Sequence, residues 1–287
     1  MADYKIITDS SVDLSLEVIQ DLELEVVPFT GTIKGDIFND SPDMSEEDRA
    51  SFYKKIKIGV SPETPDISVE VFEKLFRGYL EQGKGILYIS QSSALSGCYE
   101  NACKAAENLQ GSFEESAIYI VDSLNISAGL GVLAFSAGMF RKEELSIEEN
   151  YSKLCEMVGQ IHTYVIVEDF VQLKKCGYVN ADESVGSAAM KIKPVLIINN
   201  EGKFEIISRQ RGVNNALTYV KEAMEGYSDL DDGIFVVTHC NAPDRAEKFV
   251  ENVTGSGLFT IFTIGEAGLF TGKSAGNGAI FAAFIAK

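Results

Sequence analysis

Three turns rich in hydroxyl side chains are the features of the sequence most suited to chemistry. They span residues 8–11, 92–97 and 122–125, and each follows a short apolar segment that predicts a β-strand. Each turn also precedes a predicted helix, whose free backbone N–H groups and positive dipole end can hold an anion without lysine or arginine. Because Ser, Thr, Asp and Asn are also the preferred N-cap residues, helix capping is an equally open interpretation of the three turns.

Two glycine patterns are similar to nucleotide-binding motifs. Residues 129–134 match the dinucleotide fingerprint G-x-G-x-x-A, but these glycines lie inside an apolar helical run, several residues after the preceding strand. We therefore interpret them as positions where a helix packs closely on a sheet, and keep a nucleotide- or cofactor-binding module as an alternative. Residues 272–274 match the end of a Walker loop, but Ala267 occupies the position of its first glycine, so nucleotide binding is not predicted there.

The two histidines, His162 and His239, give a catalytic alternative. Ser93 or Ser96 could attack small acyl esters or thioesters with His239 as the base, if the fold brings these side chains together. Neither histidine has a metal-ligating neighbour three or four residues further along the chain. No complete catalytic constellation is evident, so we expect no enzymatic activity, no metal and no cofactor, with a serine-dependent hydrolase of acyl esters as the alternative.

Charge and composition exclude several classes of partner. The chain has 25 Lys and Arg against 43 Asp and Glu, a net charge of −18, and no long basic cluster. Nucleic acids and anionic membrane surfaces are therefore not expected to bind. No apolar stretch reaches the ~18 residues of a membrane-spanning helix, and no signal-peptide pattern is present. The five scattered cysteines form no C-x-x-C pair, so we expect a cytoplasmic protein without disulfides or zinc.

Alternating strands and helices predict an α/β fold of two domains. Strands at 4–8, 86–90 and 117–121 each lead into a polar turn and a helix, which is typical of a parallel sheet covered by helices. Later strands include a hairpin whose turn is Asn199-Asn200-Glu201-Gly202. The sequence therefore predicts an N-terminal parallel-sheet α/β sandwich at 1–160 and a C-terminal mixed-sheet α/β domain at 161–287.

The remaining predicted elements follow from hydrophobic period and capping residues. Residues 276–286 fit a strand or a helix equally well. Further strands are predicted at 164–167, 194–198, 204–208, 233–239 and 258–264, and helices at 13–20, 45–57, from 68 onward, and at 99–110, 128–140, 147–160, 213–225 and 244–252.

Four motifs, in matching order and spacing along nearly the whole chain, are similar to those of a known family. They read I-T-D-S-S-V-D-L from Ile7, S-S-A-L-S-G-C-Y from Ser92, V-D-S from Val121 followed by Ser127, Gly129 and Gly131, and K-P-V-L from Lys193. On these residues the chain resembles the DegV family of bacterial proteins.

The resemblance implies a two-domain α/β protein that binds one long-chain fatty acid in a buried tunnel between its domains. In some bacteria such a protein presents the acid to a separate fatty-acid kinase, so the resemblance implies an acyl carrier that is not itself catalytic. It also implies that hydroxyls at Thr64 and Ser93 hold the acyl carboxylate, with Ser92 and Ser96 nearby.

The sequence departs from the family pattern at two positions near the implied head group. The family segment L-x-x-L-x-x-G-G-R-I reads F-V-Q-L-K-K-C-G-Y-V from Phe170, so Tyr178 replaces the arginine. The segment G-x-H-x-G-P-G reads L-F-T-G-K-S-A from Leu269, so Thr271 replaces the histidine. Tyr178 and Thr271 are thus also expected at the fatty-acid site, and their identity bears on head-group recognition and on a kinase partner.

Overall fold

The computed structural model describes residues 4–113, 117–180, 191–227, 230 and 233–286. In chain order the strands are β1 (Tyr4–Asp9), β2 (Glu25–Val27), β3 (Phe29–Ile33), β4 (Asp36–Asp40), β5 (Gly85–Ser90), β6 (Ile118–Asp122), β7 (Ile161–Ile166), β8 (Ile192–Ile198), β9 (Phe204–Arg211), β10 (Ile234–His239), β11 (Ile261–Glu266) and β12 (Ile280–Ile285). The helices are α1 (Leu16–Asp21), α2 (Glu46–Lys57), α3 (Val69–Leu80), α4 (Cys98–Gln110), α5 (Ala128–Lys142), α6 (Ile147–Val158), α7 (Val171–Lys175), α8 (Val213–Glu225), α9 (Pro243–Thr254) and α10 (Leu269–Ala275).

The first sheet is parallel and has the strand order β2-β1-β5-β6. In its central pair, Tyr4 aligns with Gly85 and Thr8 with Ile89. Strands β1, β5 and β6 therefore end at the same edge of the sheet, and the three polar turns leave from that edge. The carboxyl-terminal edge is where ligands bind in open α/β sheets.

The second sheet is mixed and has the strand order β11-β10-β12-β7-β8-β9. Strands β10 and β11 are parallel, whereas the other neighbours are antiparallel. Strand β12 lies in the middle of this sheet and is buried on both faces, with Phe281 and Ala283 in one core and Ala282 and Phe284 in the other. Because both faces are apolar, the segment lacks the alternation that would have distinguished a strand from a helix.

Helix α5 lies between the two sheets. It packs on β1 and β5 of the parallel sheet and on β7, β10 and β12 of the mixed sheet. A Cβ atom added at Gly129 would collide with the side chains of Asn125 and Thr163. The glycines at 129–134 therefore allow close packing, as the sequence predicts, and the cofactor-module alternative gains no support from them.

The predicted fold class is confirmed, because a parallel α/β sheet is followed by a mixed one. The strands of the parallel sheet end before residue 123 and those of the mixed sheet begin at Ile161. The division into domains 1–160 and 161–287 stays a prediction that this arrangement favours. The segment at 276–286 contains strand β12.

Some local predictions were wrong or incomplete. The helix predicted at 13–20 begins only at Leu16, because Asp13 has a left-handed φ of 50° and the Ser15 hydroxyl caps the helix by accepting the Val18 N–H. The polar stretch at 34–43 contains strand β4, which forms an antiparallel hairpin with β3. The short helices α7 and α10 were not predicted.

We expect Gly129→Ala to lower the free energy of unfolding by about 1–3 kcal/mol, because the added methyl group overpacks the joint between α5 and β7. Chemical denaturation with urea measures this difference. Gly111→Ala is the matched control, since a Cβ there meets no atom within 4 Å and its φ of −68° suits alanine. The control should change stability by no more than about 1 kcal/mol, and an equal effect of the two substitutions would contradict close packing at Gly129.

Candidate functional site

The turn at 92–97 is held in place by the two turns beside it. Strand β5 lies between β1 and β6, so the turn that follows β5 has a neighbouring turn on each side. On one side Asp9 Oδ2 accepts the Gln91 N–H at 3.0 Å. On the other side Asp122 Oδ1 accepts the Ser93 N–H at 3.1 Å, and Ser92 N donates to Asn125 O at 2.7 Å. The sheet order therefore fixes the backbone of the Ser92–Ser93 turn.

The hydroxyls of the first turn are used within the protein. Thr8 Oγ1 donates to Ile89 O at 2.9 Å, and Ser10 Oγ donates to Asp40 Oδ2 at 3.1 Å. The Ser11 hydroxyl donates to the Asp9 carboxylate, which also accepts the Ser11 N–H. The Asp9 carboxylate thus occupies the place that a bound anion would take at this turn, which favours the capping interpretation here.

Two of the predicted site serines position the turn at 92–97. Ser92 is buried, and its hydroxyl donates to Gly202 O at 2.9 Å and accepts the Ala94 N–H at 3.2 Å. It therefore ties the turn to the loop between β8 and β9. Ser96 Oγ accepts the Cys98 N–H at 3.3 Å at the start of α4.

Ser93 differs from these two serines. Its side chain is half-buried, and among the described residues its hydroxyl has no hydrogen-bond partner, although its backbone N–H is held by Asp122. A hydroxyl on a fixed backbone with no protein partner is free to donate to a ligand. Ser93 is therefore the hydroxyl of this turn best suited to binding.

Thr64 lies in a loop that packs against the same turn. Glu63 pairs with Thr32 of β3 through two backbone hydrogen bonds of 2.8 and 2.9 Å, which fixes the loop. The Asp66 carboxylate lies beside Gly97, and the Ile67 N–H donates to Cys98 Sγ at 3.3 Å. The Thr64 side chain is only 9% exposed. The Thr64 loop thus contacts the end of the serine turn at Gly97.

Tyr178 reaches the serine turn from the side of the mixed sheet. Its hydroxyl donates to Leu95 O at 3.2 Å, and its ring lies 5.4 Å from the ring of Phe204. Burial raises the pKa of Tyr178 to about 12, so the side chain is a neutral hydrogen-bond donor. The tyrosine therefore contributes a neutral contact where the family pattern has an arginine.

Thr271, the other replacement, lies in α10 and is fully buried beside the carboxylate of Asp13. The prediction that Thr271 contacts a ligand stays a prediction, as do those for Ser92 and Ser96. The hydrogen bonds of the two serines give them a positioning role instead.

Sequence reasoning missed Lys273, which lies in α10 between β11 and β12. Its Nζ donates to Thr64 Oγ1 at 2.7 Å. In the sequence this lysine is part of the Gly-Lys-Ser triplet at 272–274, which matches the end of a nucleotide-binding motif and gives no indication of a contact with Thr64. Lys273 thus adds a cation to the Thr64 side of the site.

Helix α10, which carries Lys273, is held at its first turn by two buried carboxylates. Asp13 Oδ1 accepts the Gly268 N–H at 2.8 Å, and Asp40 accepts the N–H groups of Leu269 and Phe270. Burial raises the pKa of Asp13 to about 7 and that of Asp40 to about 6. The Asp13 carboxylate also accepts the Ser127 hydroxyl at 2.6 Å, so it joins the start of α5 to α10.

The hydrolase alternative gains no support from the geometry. His239 Nδ1 accepts the Ala242 N–H at 3.3 Å, and burial lowers its pKa to about 4. His162 Nδ1 is hydrogen-bonded to the Tyr227 hydroxyl at 3.0 Å. In the described part of the chain, no hydrogen bond joins either histidine to Ser93 or Ser96.

Helix α10 contains a serine motif that the sequence analysis missed. Residues 272–276 read G-x-S-x-G, the pattern of a nucleophile elbow, which requires a strand-turn-helix context. Here Ser274 lies within α10, is buried, and donates its hydroxyl to Phe270 O at 2.9 Å. Ser274 therefore does not lie at the strand-to-helix turn that a nucleophile elbow requires.

Metal-binding clusters and membrane-spanning helices are absent from the described residues. These residues contain no group of three or more His, Cys, Asp or Glu side chains that could hold a metal ion. They also contain no helix long and apolar enough to cross a membrane.

Comparison with known proteins decides the family. A model of the family described as "Uncharacterised protein, DegV family" matches residues 3–287. The chain belongs to the DegV family. A DegV domain-containing protein of Clostridium perfringens is 27% identical over 286 residues, which cover 99% of this chain and 98% of that protein. A relative from Streptococcus pyogenes serotype M1 is 29% identical over 251 residues, covering 87% and 86% of the two chains.

Solved structures share the DegV fold. A Thermotoga maritima protein, described as revealing fatty acid binding function, has a TM-score of 0.84 at 23% identity and covers 99% of this chain and 100% of its own. A Ruminococcus gnavus DegV-family protein with vaccenic acid has a TM-score of 0.87 at 22% identity, with the same coverage. The Fatty Acid Kinase B3 protein of Streptococcus pneumoniae, loaded with linoleic acid, has a TM-score of 0.85 at 17% identity, and each chain is fully covered. The predicted family and fold are confirmed.

The raised pKa of Asp13 predicts how the stability of this DegV protein depends on pH. Because the folded-state pKa, about 7, is raised above 3.8, the contribution of Asp13 to stability is fully present below pH 3.8 and is lost as the pH rises to about 7. We therefore expect the stability advantage of the wild type over Asp13→Asn to fall by up to about 1.4 kcal/mol per pH unit in this window. Urea denaturation of both proteins at several pH values measures it.

Asp40→Asn is the companion variant for this test. The stability advantage of the wild type over Asp40→Asn should also fall as the pH rises, with the upper end of the window near pH 6. A wild-type advantage that stays constant, or grows, between pH 4 and 7 would show that these carboxyls are not buried as the geometry indicates.

Proposed function

We propose that this protein binds one long-chain fatty acid in a buried tunnel between its parallel-sheet and mixed-sheet parts and presents it to a fatty-acid kinase. The observation that carries the proposal is the hydroxyl of Ser93, which has no hydrogen-bond partner among the described residues and lies on a fixed turn next to the Thr64 loop. Support comes from the solved relatives of the same fold, which are described as binding fatty acids. One of them is the B3 protein of a fatty acid kinase, which supports presentation of the acid.

The acyl tail supplies most of the binding free energy in this proposal. Removing one CH₂ group from water contributes about 0.8 kcal/mol, so a sixteen-carbon chain contributes at most about 12 kcal/mol. The apolar core that lies between the sheets contains residues from both of them, including Leu87, Val165 and Phe281. The proposed tunnel would pass through this core.

The head group then needs hydrogen-bond donors, because a buried carboxylate without partners costs several kcal/mol. In this proposal the hydroxyls of Ser93 and Thr64 supply them. Ser92 and Ser96 hold the turn that carries Ser93, and Tyr178 closes on the same turn at Leu95. In this arrangement the protein binds and presents the acid, and phosphoryl transfer belongs to the kinase.

Extraction of the purified protein with organic solvent, followed by lipid mass spectrometry, should give about one long-chain acid per chain. Loaded protein mixed with a fatty-acid kinase and ATP should then yield acyl phosphate. An acid-free protein that also fails to bind added palmitate and oleate would refute the binding proposal. Binding without acyl phosphate formation would refute presentation only.

The double variant Ser93→Ala with Thr64→Ala should bind palmitate on the order of 100-fold more weakly, because each hydroxyl makes a hydrogen bond to a charged group. Isothermal titration calorimetry measures the Kd. Ser152→Ala, at an exposed position of α6, is the matched control and should bind as the wild type does. Unchanged affinity of the double variant, with an unchanged Tm, would place the head group elsewhere.

A further inference from the structure

Lys273 extends from a helix whose backbone is fixed on several sides. The first turn of α10 is held by Asp13 and Asp40. A Cβ atom added at Gly272 would lie 2.7 Å from Phe52 Cε1, so α10 packs directly on α2. The base of the Lys273 side chain therefore has little freedom to move away from the Thr64 loop.

The ammonium group of Lys273 has an unusual partner for this chain. Its Nζ lies 2.7 Å from the neutral hydroxyl of Thr64, and within the described ranges no carboxylate lies within salt-bridge distance of it. The protein has 43 acidic residues against 25 basic ones, so carboxylate partners are abundant elsewhere on the chain. The half-buried Lys273 instead pairs with a hydroxyl at the candidate site.

The hydrogen bond between Lys273 and Thr64 leaves three donors of this pair without a partner among the described residues. A lysine ammonium has three N–H donors and no acceptor, and one of these donors goes to Thr64. Because the Thr64 oxygen accepts that bond, its own O–H proton remains free to donate. Within the described structure two N–H groups and one O–H group therefore remain as donors, which suits an anion with two oxygens, such as a carboxylate.

The other titratable groups near Lys273 are few. Lys273 lowers the pKa of the Cys176 thiol, but burial outweighs this effect and raises that pKa overall. Tyr178, whose pKa burial raises to about 12, lies on the same side, and Asp66 acts on Tyr178 from the Thr64 loop. Cys176 and Tyr178 are thus neutral near pH 7.

We propose that Lys273 binds the ionised head group of the ligand together with Thr64, and so selects a free long-chain carboxylate over a neutral lipid with the same tail. This proposal rests on the proposed function. It differs from head-group binding by neutral hydroxyls alone, because the attraction between Lys273 and the ligand is lost when the ligand carries no charge. Charge-assisted hydrogen bonds are about twice as strong as neutral ones.

The test measures the Kd of palmitate and of hexadecan-1-ol at pH 8 for the wild type, Lys273→Met and Lys273→Arg. We expect Lys273→Met to weaken palmitate binding on the order of ten- to a hundred-fold, while hexadecanol binding changes by less than about two-fold. Lys273→Arg should stay within about five-fold of the wild type for both ligands. Lys175→Met is the matched control, because Lys175 lies nearby in α7 but donates to Gly59 O, and it should leave both Kd values unchanged.

Other results of this experiment would contradict either the role of Lys273 or the proposed function. Equal losses for palmitate and hexadecanol in Lys273→Met would show that the side chain is structural, and an unchanged palmitate Kd would show that another group binds the carboxylate. Should Lys273→Met fail to fold, a wild type that binds hexadecanol as tightly as palmitate would overturn the proposal by itself. A wild type that binds neither ligand would refute the proposed function, which separates the two failures.

Discussion

Buried carboxylates that accept backbone N–H groups are the constraint on which this architecture depends. Asp9 holds the turn after β5, Asp13 joins α5 to α10, and Asp40 caps α10 from the β3–β4 hairpin. Burying a carboxylate is unfavourable unless several donors satisfy it, and each of these groups has two or more. The protein therefore uses its own buried carboxyl groups to fix this edge of the parallel sheet and the helix beside it.

This use of carboxylates divides the polar residues of the three turns into two sets. Most of the hydroxyls that a sequence motif brings together, including Thr8, Ser10 and Ser92, are consumed by internal hydrogen bonds. Ser93 is left without such a bond in the described structure, and Thr64 accepts one from Lys273. Capping and anion binding are thus compatible interpretations of the whole set, because the capping residues fix the turn that carries the proposed binding residue Ser93.

The sequence predicted the elements whose physical signal is local. Alternating strands and amphipathic helices indicated both sheets, and the helix at 213–225 has the predicted bounds. Hairpin β3–β4 was missed because its strands are short and β4 is polar and mostly exposed. Strand β12 could not be distinguished from a helix, because its neighbours on both faces come from distant parts of the chain. The pairing of Lys273 with Thr64 spans 209 residues, so no local pattern could indicate it.

The net charge of −18 is compatible with an anionic ligand because the two effects act over different distances. At physiological ionic strength, exposed charges farther apart than about 8 Å are largely screened, so most surface carboxylates contribute little at the head group. In the proposed site the head group would instead meet the Lys273 ammonium and nearby hydroxyls. A long apolar tail gives a favourable free energy that does not depend on charge. In the proposed function, affinity would therefore be set by the tail and by a few local donors, so that an acidic surface would not exclude a single carboxylate.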